Sequence, residues 1–212
     1  MVRGTIFIVV RHGETHWNVE MRIQGQRDSA LTKNGIAQAE AIAARLADEH
    51  IDLLVASDLG RAMQTAERIA ARTGLTVIPD PRFRERAFGA GEGMTYTEVD
   101  EVYPGAFARI REVDPDFVIP GGESRRQFHE RVRAAFDDLA HRHAGKTVAV
   151  VTHGGVLATF FRHVHGIAIH VARAIPITNA AYNVLLHDAA GWRVESWDDA
   201  DHLPPGERFE EA

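Results

Sequence analysis

TIFIVVRHGETHWN, residues Thr5–Asn18, is the stretch whose reading decides this chain. From Thr5 to Val10 it is β-branched and apolar, bounded by Gly4 and by polar residues after Val10. That pattern predicts a strand buried on both faces of a parallel sheet. Arg11, His12, Gly13, Glu14 and Thr15 follow at its carboxyl end, where open α/β sheets place their chemistry. A guanidinium carries permanent charge, and an imidazole can be neutral at pH 7. Side by side they read as a nucleophile next to an anion clamp.

The bulk composition bounds what such a clamp can serve. A chain of 212 residues, 45% hydrophobic and 25% charged, fits one domain with a substantial core. A net charge of −6 argues against general nucleic-acid binding and against docking on anionic membranes. No apolar run approaches the roughly 20 residues of a membrane span, and no small-residue cleavage site follows the first strand. Zero cysteines excludes disulfides, thiolate nucleophiles and Cys-ligated metals. A cytoplasmic location is the expectation.

Outward from the first strand, elements alternate. Thr32 is placed to cap a helix running to about His50, with Ile36, Ala39, Ala43 and Leu46 on one face. Asp52–Ser57 reads as a strand, Gly60–Thr73 as a helix ended by Gly74, and Leu75–Ile78 as a strand stopped by Pro79 and Pro81. Gly89, Gly91 and Gly93 mark a loop. Short helices are expected at Thr95–Tyr103 and Phe107–Val113, within a cap or substrate region over about 90–122. Glu123–His143 is a long amphipathic helix, Lys146–Thr152 a buried strand and Val156–Val164 a helix. Tyr182–His187 and Trp192–Trp197 read as a hairpin, and 198–212 as a polar tail that is superficial or disordered. The pattern predicts one α/β domain over 1–212, three-layered α/β/α with a mostly parallel sheet flanked by helices.

Four places put unusual polar residues beside apolar strands: Arg11-His12, the run Ser57–Ala62 with Arg61, Arg84-Glu85-Arg86, and Thr152-His153-Gly154-Gly155. Helix starts and glycine backbones suit phosphate, and arginines add bidentate donors. Together with Asn18, Gly25-Gln26, Leu31-Thr32, Gly35, Gln64-Thr65-Ala66, Phe83, Phe88-Gly89, Glu92-Gly93 and Gly121–Ser124, these residues resemble the histidine phosphatase superfamily. That family is phosphoglycerate mutase-like in fold, and the match runs in order from about residue 5 to about 157.

The resemblance implies a phosphohistidine on His12, with Arg11, Arg61 and His153 binding the phosphoryl oxygens and Glu85 as general acid and then base. It also implies phosphate contacts at Asn18, Gln24, Gly25 and Gly154, and no metal or organic cofactor. The segment after Glu85, Phe88-Gly89-Ala90-Gly91-Glu92-Gly93, is similar to the phosphatase branch, although Gly91 stands where that branch usually has an aromatic. The family's mutases carry a longer segment there. The expectation is therefore a hydrolase of small phosphomonoesters, with a bisphosphoglycerate-dependent phosphoglycerate mutase and a non-catalytic phospho-ligand module as alternatives. The expected partners are the small substrate and at most a second copy of the chain in a homodimer.

Bland readings stand beside several residues. Arg11 could be a polar strand end, and Arg61 a solvated helix residue. His153 could be a capping histidine, and Glu85 could be ion-paired to Arg84 or Arg86. Trp17, Phe88 and Phe107 could be core or pocket. His163, His165 and His170 are not spaced to share a helical face and read as structural. Arg109, Arg111, Arg125 and Arg126 could meet an acidic substrate, but a solvated face is the default.

Overall fold

The computed structural model describes residues 4–111, 114–172 and 174–203, with the side chains of residues 107 and 111 outside the description. In chain order the elements are β1 (Thr5–Arg11), α1 (His16–Val19), α2 (Lys33–Leu46), β2 (Leu53–Ala56), α3 (Gly60–Thr73), β3 (Val77–Pro79), α4 (Tyr96–Val102), α5 (Ala106–Arg111), α6 (Arg125–Arg142), β4 (Thr147–Thr152), α7 (Gly154–Val164), β5 (Tyr182–Asp188) and β6 (Gly191–Asp199). The six strands form one sheet in the order β3-β2-β4-β1-β5-β6. β1 pairs in parallel with β4, and β2 pairs in parallel with both β4 and β3. The hairpin β5–β6 joins antiparallel to β1, so the sheet is mixed: its hairpin side reverses the direction of the rest.

Period-two alternation along the central strands explains the layers. Phe7 and Val9 of β1, with Val148 and Val150 of β4, pack with Phe128, Val132 and Phe136 of α6 and with Leu157 and Phe160 of α7. Ile8 and Val10, with Ala149 and Val151, point the other way and meet Ile42 and Leu46 of α2 and Ile69 of α3. Both faces of the sheet are thus buried, as an unbroken apolar run requires. Phe136 and Phe160 stack with centroids 3.9 Å apart, at the centre of the first layer.

Helix boundaries follow capping chemistry. Thr32 caps α2 by accepting from the Gly35 amide at 2.9 Å, but the helix ends at Leu46, short of His50. The residues after Leu46 are a polar, turn-forming run that has no face to bury. Gly74 ends α3 at φ 73°, a conformation that costs glycine nothing. β3 begins two residues later than the apolar run from Leu75, where pairing with β2 starts.

The expected tail is corrected at its start. Asp198 and Asp199 close β6, Ala200 is buried, and Leu203 packs against the α2–α3 layer. Asp198 accepts from the Thr178 amide at 2.6 Å and from its hydroxyl at 3.0 Å, while Asp199 pairs with Arg45 at 2.6 Å. Acidic residues here are fold contacts, which composition could not distinguish from tail. Residues 204–212 lie outside the described residues.

The cap region forms its own small cluster from Ile23, Val99, Ala106 and Ile119, flanked by Phe88, Tyr96 and Phe117. Among the described residues, no helix is long and apolar enough to cross a membrane.

Candidate active site

β1 and β4 are neighbours in register, with Arg11 beside Thr152, so the next residue of each, His12 and His153, leaves the sheet at the same edge. Their rings lie 5.2 Å apart, and both residues are buried, as are Arg11 and Arg61. Two histidines and two guanidinium groups in one buried cluster suit an anion.

The hydrogen bonds of His12 define its tautomer. Nδ1 donates to the carbonyl of Gly13 at 2.8 Å, and a carbonyl can only accept. Nε2 accepts from Nε of Arg61 at 3.2 Å, so it carries a lone pair. Burial first, and then the charges of Arg61 and Arg11, hold the His12 pKa well below the ordinary imidazole value. His153 is held low in the same way by burial, Arg61 and His12. Both rings are neutral at pH 7. His153 Nε2 meets Ser57 Oγ at 2.8 Å, and its Nδ1 is buried without a partner among the described residues.

The arginines are held by backbone oxygens. Arg11 donates to the Ile177 carbonyl at 2.6 Å. Arg61, near the start of α3, donates to the carbonyls of Gly25 and Arg27, each at 2.8 Å, and to Asp28 at 3.1 Å. Asp28 also accepts from the Gly60 amide at 2.8 Å, so it caps α3 from another loop. Gly25 is the sharp turn that makes this approach feasible: its φ is 54°, and a Cβ there would fall 2.2 Å from Glu92 Oε1.

Glu85 reaches the same edge from the loop after β3. Its Oε2 accepts from the Gly155 amide at 2.8 Å and its Oε1 from the Arg86 amide at 2.7 Å. Gly155 must be glycine for this contact, because a Cβ would sit 2.1 Å from Glu85 Oε1. The flanking arginines engage other groups: Arg84 pairs with Asp58, and Arg86 donates to the carbonyls of Glu123 and Phe117, each at 3.0 Å. Arg131 of α6 pins the loop through the carbonyls of Arg82 at 2.8 Å and Arg84 at 2.9 Å.

His12, Arg11, Arg61, His153, Glu85 and Gly154 therefore converge, and Gly25 contributes through its carbonyl. Asn18 is buried and tied into a capping box with Thr15. Gln24 is buried too, with its Oε1 unpartnered among the described residues. Glu92 is a loop staple that accepts from the amides of Gln26 at 3.0 Å and Phe88 at 2.9 Å. Glu14 anchors Thr32 at 2.5 Å. Trp17 faces Arg27, and Phe88 belongs to the cap cluster. His163 packs against Phe160 and His129, and no metal-sized group of His and acidic residues exists among the described residues.

Sequence reasoning missed Asp28, Arg131, Asn179, which donates to the His12 carbonyl at 2.8 Å, and the bond from Ser57 to His153. Each acts from an element remote in sequence from the residue it positions.

Comparison with known proteins agrees with this geometry. A model of the histidine phosphatase superfamily (branch 1) matches residues 7–200. The chain is 39% identical over 202 residues to a metal-independent phosphoserine phosphatase of Arabidopsis thaliana, covering 94% of this chain and 83% of that one. It is 36% identical over 203 residues to a probable phosphoglycerate mutase, GpmB, of Yersinia pestis (strain Pestoides F), covering 92% and 93%. Among solved structures, YhfR of Bacillus stearothermophilus superposes with a TM-score of 0.89 at 30% identity, covering 94% of this chain and 100% of that one. A mycobacterial glucosyl-3-phosphoglycerate phosphatase superposes at 0.80 with 32% identity, covering 93% and 99%. The chain belongs to branch 1 of the histidine phosphatase superfamily, a family of phosphatases and phosphoglycerate mutases with this three-layer fold.

Proposed function

We propose that this protein hydrolyses small phosphomonoesters through a phosphohistidine on His12. The observation that carries the reading is the unprotonated Nε2 of His12, held neutral by burial and aligned by Arg61. As the Arg61 N–H turns to a phosphoryl oxygen, that lone pair is freed and forms the N–P bond while the ester P–O bond breaks. In its carboxylic-acid form Glu85 gives its proton to the leaving alkoxide. In the second step the Glu85 carboxylate takes a proton from water. The water oxygen bonds to phosphorus, and the N–P bond breaks and returns its electron pair to Nε2.

The charge on the transferring group is met by Arg11 and Arg61, by the first amides of α7 at Gly154, and by His153. Ser57 Oγ already accepts from the Leu59 amide at 3.3 Å. With the Ser57 hydroxyl donating to His153 Nε2, the Nδ1 proton is left for a phosphoryl oxygen. Asn18 and Gln24 complete the proposed phosphate contacts. The two guanidinium groups take the charge-neutralising role, so the chemistry needs no metal. The relatives support this class, because a metal-independent phosphatase is among them.

The test is hydrolysis of p-nitrophenyl phosphate in excess chelator, with acid-stable and base-stable phosphoenzyme distinguished after quenching. Retained activity with an acid-labile, base-stable phosphoenzyme is the expected result. Loss of activity on chelation contradicts the mechanism. Stimulated exchange between phosphoglycerates on adding 2,3-bisphosphoglycerate would instead assign a mutase.

A further inference from the structure

Within the segment Gly121–Ser124, Ser124 caps α6 and Glu123 faces the loop that carries Glu85. Glu123 brackets Ala87 in both directions. Its amide donates to the Ala87 carbonyl at 2.9 Å, and its Oε1 accepts from the Ala87 amide at 3.0 Å. About two turns along α6, Arg131 reaches back to the same carboxylate. It donates from Nη2 to Oε1, and from Nε to Oε2 at 3.3 Å. The pair is largely withdrawn from water, with side-chain exposures of 22% for Arg131 and 17% for Glu123.

A loop has no ladder to satisfy its carbonyls, so other groups must supply the donors. After β3 that donor is chiefly Arg131. Its Nη1 donates to the carbonyls of Arg82 at 2.8 Å and Arg84 at 2.9 Å, and its Nη2 to that of Glu85 at 3.3 Å. The Phe83 carbonyl between them accepts from Thr152 Oγ1 at 2.8 Å, one residue before His153. A guanidinium has five N–H donors in a rigid fork. Those of Arg131 are all engaged, three with loop carbonyls and two with Glu123. The group also lies over the ring of buried Phe128, 5.0 Å from its centroid.

The residue fixed by this arrangement is Glu85. Its Oε2 meets the Gly155 amide at 2.8 Å and its Oε1 the Arg86 amide at 2.7 Å. The fit is close, because a Cβ on Gly155 would fall 2.1 Å from Oε1. Proton transfer needs a narrow range of positions, and a displacement of about 1 Å can cost about a hundredfold. Burial, Arg61, His12 and Arg11 hold the His153 pKa low more than the charge of Arg131 does. The fork, rather than the charge, is what Arg131 alone supplies.

We propose that Arg131, steadied by Glu123, is the positioning residue for the proton donor Glu85. With its donors engaged by the loop and Glu123, it acts through Glu85 and not on the substrate. This inference rests on the phosphatase reading above and adds the pair that keeps its acid–base carboxyl in place.

The test compares p-nitrophenyl phosphate, whose leaving group needs no proton, with the best alkyl substrate among glycerol 3-phosphate, 3-phosphoglycerate and O-phosphoserine. Arg131→Gln should lower kcat on the alkyl ester by about tenfold or more, and on p-nitrophenyl phosphate much less. Arg131→Lys keeps the charge, loses the planar fork and should show the same selective loss. Glu123→Gln, a milder change that keeps an acceptor for the Ala87 amide, should give a smaller loss with the same bias. In a Glu85→Gln background, Arg131→Gln should add no further bias, because the group it positions is gone. The ratio between esters is the readout, since a partly misfolded variant lowers both equally. Equal losses on both esters, wild-type behaviour of Arg131→Lys, or a bias that Arg131→Gln still adds without Glu85 each overturn the inference. Wild-type turnover of p-nitrophenyl phosphate alone overturns it too, and all four results leave the phosphatase reading standing. Absence of wild-type turnover on every ester defeats that reading, and this inference with it.

Discussion

The floor of the site and its leaving-group side are built on opposite principles. The floor, with Arg11, His12, Arg61 and His153, is buried at the ends of two central parallel strands and the start of a helix. Each charged group there has short hydrogen bonds to backbone oxygens, which leaves little freedom. The leaving-group side is assembled from the loop holding Glu85, the small cap cluster and the first turn of α7. It holds the half-buried carboxyl of Glu85. On the proposed reading the phosphoryl chemistry is pre-organised in the sheet, whereas the cap packs in a cluster of its own.

The sharpest way to break this comparison is at the floor. His12→Ala should lower turnover by at least about 10⁴-fold and remove phosphoenzyme labelling. Labelling that persists at full stoichiometry would move the nucleophile elsewhere. Across the site, Glu85→Gln should cost about 10²- to 10⁴-fold on alkyl phosphates and much less on p-nitrophenyl phosphate, whose leaving group needs no proton. Equal losses on both would assign Glu85 a positioning role only. Asp28→Ala tests the support beneath the floor. Arg61 keeps the carbonyls of Gly25 and Arg27, so the loss in kcat/KM should be roughly tenfold.

Burial of the floor also has a signature in pH. His12 and His153 have folded pKa values below the unfolded value of about 6.5. Between those values the unfolded chain binds more protons, so stability rises with pH there. Their contribution is complete above about pH 6.5 and is lost as pH falls below it. The melting temperature should therefore decline from pH 7 to 5.5, and His12→Ala should flatten that decline, by up to about 1.4 kcal/mol per pH unit for the proton removed. An unchanged slope would mean that the imidazole is not desolvated. The smallest effect sharpens the contrast between arginines of α6: Arg126→Ala, at an exposed ion pair, should leave both melting temperature and kcat/KM unchanged.

Much of the floor was legible because its signals are local. An apolar run with a charged end, such as Val10 to His12 or Val151 to His153, announces a buried strand whose next residue sits at the sheet edge. The end of α3 at Gly74 and the start of α2 at Thr32 were readable for the same reason. Other features depend on partners far away in sequence. Glu92 and Glu85 share one loop and one charge, but only the folded chain shows Glu92 stapling amides while Glu85 meets Gly155. Asp198 looked like the beginning of a polar tail until Thr178 was beside it.

Sequence by itself determined the layered α/β architecture, the family and the histidines and arginines that meet at the strand ends. Strand burial and helix capping are written in runs of a few adjacent residues, and motif order is a property of the chain. The tertiary structure decided which nitrogen of His12 bears the lone pair, which acidic residue meets the Gly155 amide and which one staples the loop. Those outcomes depend on distance, desolvation and hydrogen-bond partners, and none of these exists until remote segments meet.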